Sequence, residues 1–228
     1  EICIVKDVNT PRPLLARSRR CIMTVLWVLA SHCSGMRRLK FERPPLVRPR
    51  MEGAPSQPRR QLFPGFEVPA LSLGGAMLGG IDTREAQAIL RVAGEIGIEL
   101  VDTSSAYGLS ESVIGHSPTA LSVATKFGNP CDRNGHRHDY TTAHCADSLY
   151  ASLAALQGKR LACFQLHSPP ECPSPLVPAL VDLLESLRVA GKFGAWGASV
   201  HSINGGQVAL GAGAQMLQVS EMHPLTPR

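Results

Sequence analysis

Residues 98–108 read Ile98-Glu99-Leu100-Val101-Asp102-Thr103-Ser104-Ser105-Ala106-Tyr107-Gly108. A short, largely apolar run ends at the carboxylate of Asp102, and small polar residues and a Tyr-Gly pair follow it. A run of this length, bounded by turn-forming residues, is typical of a buried strand rather than a helix. We therefore predict a strand at Ile98–Val101 with polar side chains at its carboxyl end.

Outward from this stretch, short apolar runs alternate with amphipathic segments, the pattern of repeated βα units around a parallel sheet. The predicted strands are Leu71–Leu73, Ile98–Val101, Leu121–Ala124, Cys163–Leu166, Phe193–Ala198 and Met216–Val219. The predicted helices are Thr83–Glu95 with Asp82 as N-cap, Ala143–Leu156, Leu176–Val189 and Ile203–Leu210. Six βα units are expected.

Two parallel folds compete for this pattern. An open, doubly wound sheet that binds a dinucleotide should carry GxGxxG directly after its first strand. The segment Gly74–Gly80 lacks that spacing, and Gly211-Ala212-Gly213 follows a helix rather than a strand. The fold class predicted is therefore α/β, a TIM (β/α)8-type barrel that is incomplete, with about six units.

Polar residues end several of the predicted strands. In a βα barrel, functional groups gather at the carboxyl ends of the strands. Asp102, Lys126, His167 and Ser199 end the second to fifth strands, and Gln218 lies within the sixth. Any one of them alone is more often a solvated or capping residue, but charges that converge on an apolar mouth are costly unless paired. Together they indicate a functional site at the carboxyl end of the sheet.

The residues around these strand ends resemble, in order, the motifs of the aldo-keto reductase superfamily, from roughly Leu71 to Pro224. The matching segments are Val101–Gly108 with Ser110, Glu111 and Gly115; Ala124–Phe127; Ser148–Leu153 with Leu161–His167; Ala190–Ser199; and Gln218–Leu225. Five motifs in the correct order are far less probable by accident than one. Val200 departs from the pattern, because many members have Asn there.

The resemblance implies a catalytic tetrad of Asp102, Tyr107, Lys126 and His167. A phenol is a poor acid near neutral pH, so Lys126 would supply the cation that lowers the pKa of Tyr107. Asp102 would hold Lys126, and His167 would orient a substrate carbonyl. Tyr107 would then act as general acid or base during hydride transfer.

The resemblance also implies an NADP(H)-dependent enzyme, with NAD(H) as the alternative, that acts on small-molecule aldehydes, ketones or sugars. Ser199 and Gln218 would hold the nicotinamide carboxamide. Since the family has two further βα units beyond Pro224, the sequence predicts a barrel truncated at its carboxyl end. The competing hypothesis is a non-catalytic remnant or partner-binding protein.

Residues 1–60 are expected to be an irregular, basic and disordered extension, and residues 61–228 the partial barrel. The chain carries a net charge of +5. The excess positive charge lies in the extension, and Arg43–Pro69, dense in Pro, Arg and Gly, is interpreted as a linker. Nucleic-acid binding by this arm is the weakest hypothesis. Cys21–Ala30 resembles a signal-peptide core but is too short to span a bilayer.

Seven cysteines at irregular spacing favour a reducing compartment, and we expect a cytoplasmic protein with neither a nucleic-acid nor a membrane partner. The oligomeric state is left open. One cluster after the third strand suggests a metal site, but its spacing matches no zinc pattern, so none is predicted. Its members are Cys131, His136, His138, His144 and Cys145.

Overall fold

A computed structural model describes residues 58–129, 138–171 and 174–219. The strands are β1 (Arg59–Phe63), β2 (Phe66–Pro69), β3 (Leu73–Gly74), β4 (Leu100–Asp102), β5 (Ser122–Phe127), β6 (Leu161–His167), β7 (Ala195–Val200) and β8 (Met216–Val219). The helices are α1 (Thr83–Glu95), α2 (Ser110–Gly115), α3 (Thr142–Ala155), α4 (Pro178–Val189) and α5 (Ile203–Gly211).

Strands β3 to β8 form one parallel sheet whose spatial order is the order of the chain. One helix lies between each pair of consecutive strands. The sheet curls as part of a barrel, so the predicted α/β fold, an incomplete barrel, is confirmed with six strands and, among the described residues, five helices between them. The bounds of several elements differ from the prediction: β3 begins at Leu73 rather than Leu71, β4 at Leu100 rather than Ile98, and β7 at Ala195 rather than Phe193. The short helix α2 was not among the predicted helices.

The first helix shows how local sequence sets the boundaries of an element. The side chain of Asp82 accepts hydrogen bonds from the backbone N–H groups of Arg84 and Glu85, at 2.9 and 3.3 Å. It thereby satisfies donors that a helix start leaves without partners. Ala86, Leu90 and Ala93 are buried at helical spacing and turn one face of α1 to the sheet.

Two apolar layers enclose the sheet. The outer layer lies between strands and helices and includes Val123, Phe164, Trp196, Leu149 and Leu184. The inner layer lies inside the curve, at the amino-terminal ends of the strands. It contains Leu100, Ala124, Ala162, Cys163, Ala195 and Met216.

An antiparallel hairpin of β1 and β2 completes the inner layer. Gly65, at its turn, has φ +81°. Phe63 and Phe66 stack with their ring centroids 5.0 Å apart. Gly194 admits Phe63, because a Cβ there would lie 2.6 Å from the ring. The interpretation of Arg43–Pro69 as linker is therefore wrong for residues 59–69, where alternating apolar residues form a sheet.

The rest of that segment, residues 43–57, lies outside the described residues, as does Cys21–Ala30. The domain boundary placed between residues 60 and 61 stays a prediction. Among the helices of residues 58–129, 138–171 and 174–219, none has the length and apolar character needed to cross a membrane.

Candidate active site

The inward-facing residues at the carboxyl end of the sheet are arranged in register. Asp102 is the Cα partner of Gly74, and Lys126 is the partner of Gln165. His167 pairs with Ser199, which pairs with Gln218. Since side chains at these positions point into the curve of the sheet, they share one mouth. The structure thus brings the predicted strand-end residues together.

A buried ion pair lies at the centre of this mouth. Nζ of Lys126 donates to Oδ2 of Asp102 at 2.6 Å and to the carbonyl oxygen of Thr103 at 3.0 Å. The Lys126 side chain is 1% exposed and that of Asp102 is 15% exposed. A buried ammonium group is tolerated only when paired and hydrogen-bonded, and these two contacts meet that requirement.

Tyr107 lies between this ion pair and His167. Its ring centroid is 5.3 Å from Nζ of Lys126 and 5.6 Å from the centroid of the imidazole ring, which meets it edge-on. The half-buried phenol therefore contacts a cation and a neutral ring at the mouth of the sheet. No other described tyrosine has both neighbours.

The loop that carries Tyr107 is fixed at several points. Ser110 donates a hydrogen bond to the carbonyl oxygen of Gly75 at 2.8 Å, and Glu111 accepts one from the Thr125 hydroxyl at 2.6 Å. Gly79 packs directly against this loop, because a Cβ there would lie 2.0 Å from the carbonyl oxygen of Tyr107. These contacts hold the chain in place at Tyr107 and directly after it.

His167 is held as a neutral ring. Its Nδ1 lies 3.0 Å from the Ser104 hydroxyl, which is 3.4 Å from the carbonyl oxygen of Lys126. Which of the two atoms donates in the Ser104–His167 contact depends on the tautomer of the ring. Burial, with the nearby charges of Lys126, His138 and His201, lowers the pKa of His167 to about 4.

Ser199 and Gln218 form the other side of the mouth, 6% and 4% exposed. Nε2 of Gln218 lies 3.3 Å from Oδ2 of Asp102. Its Oε1 is buried and, within the described part of the chain, accepts no hydrogen bond. A buried amide oxygen without a donor fits a ligand that brings an N–H group, such as the carboxamide of a nicotinamide.

Sequence reasoning missed Tyr140, which supports the site from outside. Its hydroxyl donates to the carbonyl oxygen of His167 at 2.7 Å, and its ring packs edge-on against Phe127. Gly128 makes room for it, since a Cβ there would lie 2.1 Å from the ring. His138 stacks on the same ring at 5.9 Å. A glycine directly after a strand was the only sequence signal for this contact.

Ser104 was missed as well, although it lies within the motif that defines the site. A serine between two other small polar residues carries no sign that it will meet a histidine 63 positions along the chain. The contact depends on the register between β4, β5 and β6, which the sequence pattern does not specify.

The structure describes only three of the five residues in the possible metal cluster after β5. Cys131 and His136 lie outside the described residues. Of the others, His144 is within 3.2 Å of the Ser148 hydroxyl, and Cys145 is a fully buried residue of α3. Among the described residues no group of three His, Cys, Asp or Glu side chains could hold a metal ion.

A curled parallel sheet with a buried Lys-Asp pair, a tyrosine and a histidine at its mouth defines a class of βα-barrel proteins. The model of the Aldo/keto reductase family matches residues 70–226, more than half of the chain. The chain belongs to this family.

Individual relatives agree with that assignment. Aldo-keto reductase YhdN of Bacillus subtilis (strain 168) is 31% identical over 142 residues, which are 58% of this chain and 42% of that protein. A solved structure from Pseudomonas aeruginosa, described as an aldo-keto reductase, is 30% identical with a TM-score of 0.60. The match covers 66% of this chain and 63% of that one.

A glycerol dehydrogenase of Gluconobacter oxydans is also similar in structure, with 26% identity and a TM-score of 0.54. The match covers 64% of this chain and 50% of that enzyme. The chain thus spans between 42% and 63% of the length of these relatives.

Proposed function

We propose that the protein is an NADP(H)-dependent oxidoreductase that reduces aldehyde, ketone or sugar carbonyls, or oxidises the corresponding alcohols. The observation that carries the proposal is the place of Tyr107, whose ring lies between the ammonium of Lys126 and the imidazole of His167. Such a phenol is placed to exchange a proton with an oxygen bound at the mouth.

Each residue of the tetrad has a role that follows from its contacts. The Lys126 ammonium favours the phenolate form of Tyr107, which develops as the proton leaves. Asp102 keeps that ammonium in place and partly neutralises it. His167, in the tautomer that carries its hydrogen on Nε2, would donate a hydrogen bond to the carbonyl oxygen and orient it towards the phenol.

The nicotinamide cofactor would supply or accept the hydride when bound. Ser199 and Gln218 would hold its carboxamide, and the unpartnered Oε1 of Gln218 supports this assignment. NAD(H) is the alternative cofactor. The relative that is named a glycerol dehydrogenase supports a small polyhydroxylated or carbonyl substrate.

The buried, free thiol of Cys145 supports the proposed cytoplasmic location, because free thiols are stable in a reducing compartment. We infer no nucleic-acid or membrane partner, since the site is built for a small molecule.

The test is NADPH oxidation with a panel of aldehydes and sugars, with wild type compared to Tyr107→Phe. Loss of the proton donor should lower kcat by about 10²- to 10⁴-fold. Tyr150→Phe is the matched control, because Tyr150 is an exposed residue of α3 whose ring contacts Lys192 and none of the tetrad residues in the described structure. Turnover by neither wild type nor control, in a folded chain, would refute the proposal and favour a non-catalytic, partner-binding protein.

A further inference from the structure

The hydroxyl of Ser104 is fully buried beneath the loop that carries Tyr107. Three polar atoms lie within hydrogen-bond distance of its Oγ. They are the backbone nitrogen of Ala106 at 3.1 Å, Nδ1 of His167 at 3.0 Å and the carbonyl oxygen of Lys126 at 3.4 Å. A hydroxyl has one hydrogen and two lone pairs. Because the Ala106 N–H occupies one lone pair, the open question is where the single hydrogen of Ser104 goes.

Two arrangements of the hydrogens agree with these distances. In the first, Ser104 donates to Nδ1 of His167, and the neutral ring carries its own hydrogen on Nε2. In the second, Nδ1 carries the ring hydrogen and donates to Oγ of Ser104, whose hydroxyl then donates to the carbonyl oxygen of Lys126. The first arrangement makes Nε2 a hydrogen-bond donor, and the second makes it an acceptor.

The surroundings of the Lys126 carbonyl oxygen favour the first arrangement. That oxygen accepts hydrogen bonds from the Ser105 hydroxyl at 3.1 Å and from the Ser105 backbone N–H at 3.3 Å. Since a carbonyl oxygen has two lone pairs, a third donor at 3.4 Å would add little. Nδ1 of His167 is nearer to Oγ of Ser104, at 3.0 Å, so it is the better acceptor for the hydroxyl hydrogen.

The other ring nitrogen of His167 stays available to a ligand. Nε2 forms no hydrogen bond within residues 58–129, 138–171 and 174–219, and the side chain keeps a small exposed surface at the mouth. The Tyr107 ring meets the imidazole edge-on, with the ring centroids 5.6 Å apart. A hydrogen on Nε2 would therefore lie beside the phenol, where the proposed reaction needs a donor.

We propose that Ser104 is a positioning residue whose hydroxyl donates to Nδ1 of His167 and thereby holds the ring in the tautomer with its hydrogen on Nε2, ready to bind the substrate oxygen. The hydrogen bond made by one ring nitrogen decides which nitrogen carries the proton. The inference rests on the proposed function for the substrate oxygen, whereas the tautomer is a property of the chain itself. Ser104 touches neither substrate nor cofactor and acts through His167.

The tautomer is measured by NMR on the full chain without cofactor or substrate. The 15N chemical shifts of a neutral imidazole distinguish the nitrogen that carries the hydrogen from the one that does not. Burial lowers the pKa of His167 to about 4, so the ring is neutral at about pH 7. Its signals are identified among those of the eight histidines by their absence from His167→Gln. Wild type should show the hydrogen on Nε2 and an Nδ1 that accepts a hydrogen bond.

Ser104→Ala removes the donor to Nδ1, and both neutral tautomers should then be populated. Ser104→Cys keeps a weaker donor of similar size and should give a smaller change. Ser105→Ala is the matched control, because it removes a hydroxyl from the next residue, which contacts the Lys126 carbonyl oxygen and not His167. It should keep the wild-type tautomer.

Carbonyl turnover with NADPH then distinguishes a positioning role from a structural one. Ser104→Ala should lower kcat about two- to tenfold, the effect of weakening one hydrogen bond to the substrate. The Kd for NADPH should stay that of wild type, because Ser104 lies against His167 rather than against Ser199 or Gln218. Ser104→Cys should recover part of the lost kcat.

The outcomes separate this inference from the proposed function. A hydrogen on Nδ1 in wild type overturns the inference, and this measurement needs no variant of Ser104 that folds. An unchanged tautomer in both Ser104→Ala and Ser104→Cys also overturns it, since another group would then hold the ring. So does an equal change in Ser105→Ala. A wild-type chain that shows the Nε2 tautomer, loses it in Ser104→Ala and reduces no carbonyl supports the role of Ser104 and refutes the proposed function alone.

Discussion

Nζ of Lys126 lies 2.6 Å from Oδ2 of Asp102, although the two residues come from different strands and are 24 positions apart. The ammonium is almost fully removed from water, and the carboxylate is mostly removed. The contribution of such a pair to stability is seen mainly when one partner is removed, because the other charge is then left buried and unpaired.

Asp102→Asn should therefore lower the free energy of unfolding by about 3 kcal/mol or more. In the double variant Asp102→Asn, Lys126→Met, no buried charge is left, and much of the loss should be recovered. We would measure the free energy of unfolding in urea for wild type, the two single variants and the double variant. Losses that simply add would show that the two charges do not interact.

The pH dependence of stability should carry a contribution from His167. Its pKa is about 4 in the folded chain and about 6.5 when unfolded. Between these values the unfolded chain binds more protons, so stability falls as pH drops from about 6.5 to about 4, by roughly 3 kcal/mol. Below pH 4 this contribution no longer changes.

Urea unfolding across this window should show a shallower decline for His167→Gln than for wild type. His116→Gln, at an exposed position, is the control and should follow the wild-type profile. An unchanged profile in His167→Gln would mean that the ring is hydrated rather than held neutral by burial.

Gly128→Ala should displace Tyr140 from the backbone of His167. Gly128 has φ +93°, and an added methyl group would meet the Tyr140 ring. Backbone strain of about 1–2 kcal/mol adds to the clash. Gly65→Ala is the control, since Gly65 has φ +81° but nothing within 4 Å of the added atom. A loss of thermal stability no larger than that of the control would contradict the contact.

Tyr140→Phe removes only the hydrogen bond to the carbonyl oxygen of His167. It should lower the free energy of unfolding by about 1 kcal/mol, the usual contribution of one such bond. If the bond also positions His167, carbonyl turnover should fall while NADPH affinity is unchanged. Equal turnover in Tyr140→Phe and wild type would limit Tyr140 to a structural role.

Phe63→Ala should destabilise the fold by about 3–5 kcal/mol, because it removes a buried ring from the inner layer. Val189→Ala, at a position 76% exposed, is the apolar control and should change stability by less than about 0.5 kcal/mol. Unfolding of both variants in guanidinium chloride measures the two losses of stability. Similar small losses would mean that the hairpin contributes little to the core.

Strand-end residues were the most predictable part of this molecule. Asp102, Lys126, His167 and Ser199 follow or end an apolar run, Gln218 lies within one, and the parallel register brings all five to one mouth. The prediction that Asp102, Lys126 and His167 form a tetrad with Tyr107 rests on the family resemblance, because a tyrosine in a loop is not part of any helical or strand periodicity.

What the sequence did not reveal depends on contacts between distant segments. The partner of Ser104 is decided by strand register, and the position of Tyr140 by a glycine that leaves space for it. The hairpin was hidden because Pro64, Gly65 and Pro69 interrupt its apolar pattern. Gln165 did leave a signal, a single amide inside an apolar strand. Only the structure shows that this amide is buried and has no hydrogen-bond partner among the described residues.

The family match begins at residue 70, just after the hairpin ends at Pro69. An expression clone cut at that boundary would look complete by homology and yet remove Leu62, Phe63, Phe66 and Val68 from beneath the sheet. Leu100, Cys163 and Met216 would then face water, and the product would be prone to aggregate for a reason unrelated to its chemistry. Any recombinant version should start upstream of Arg59.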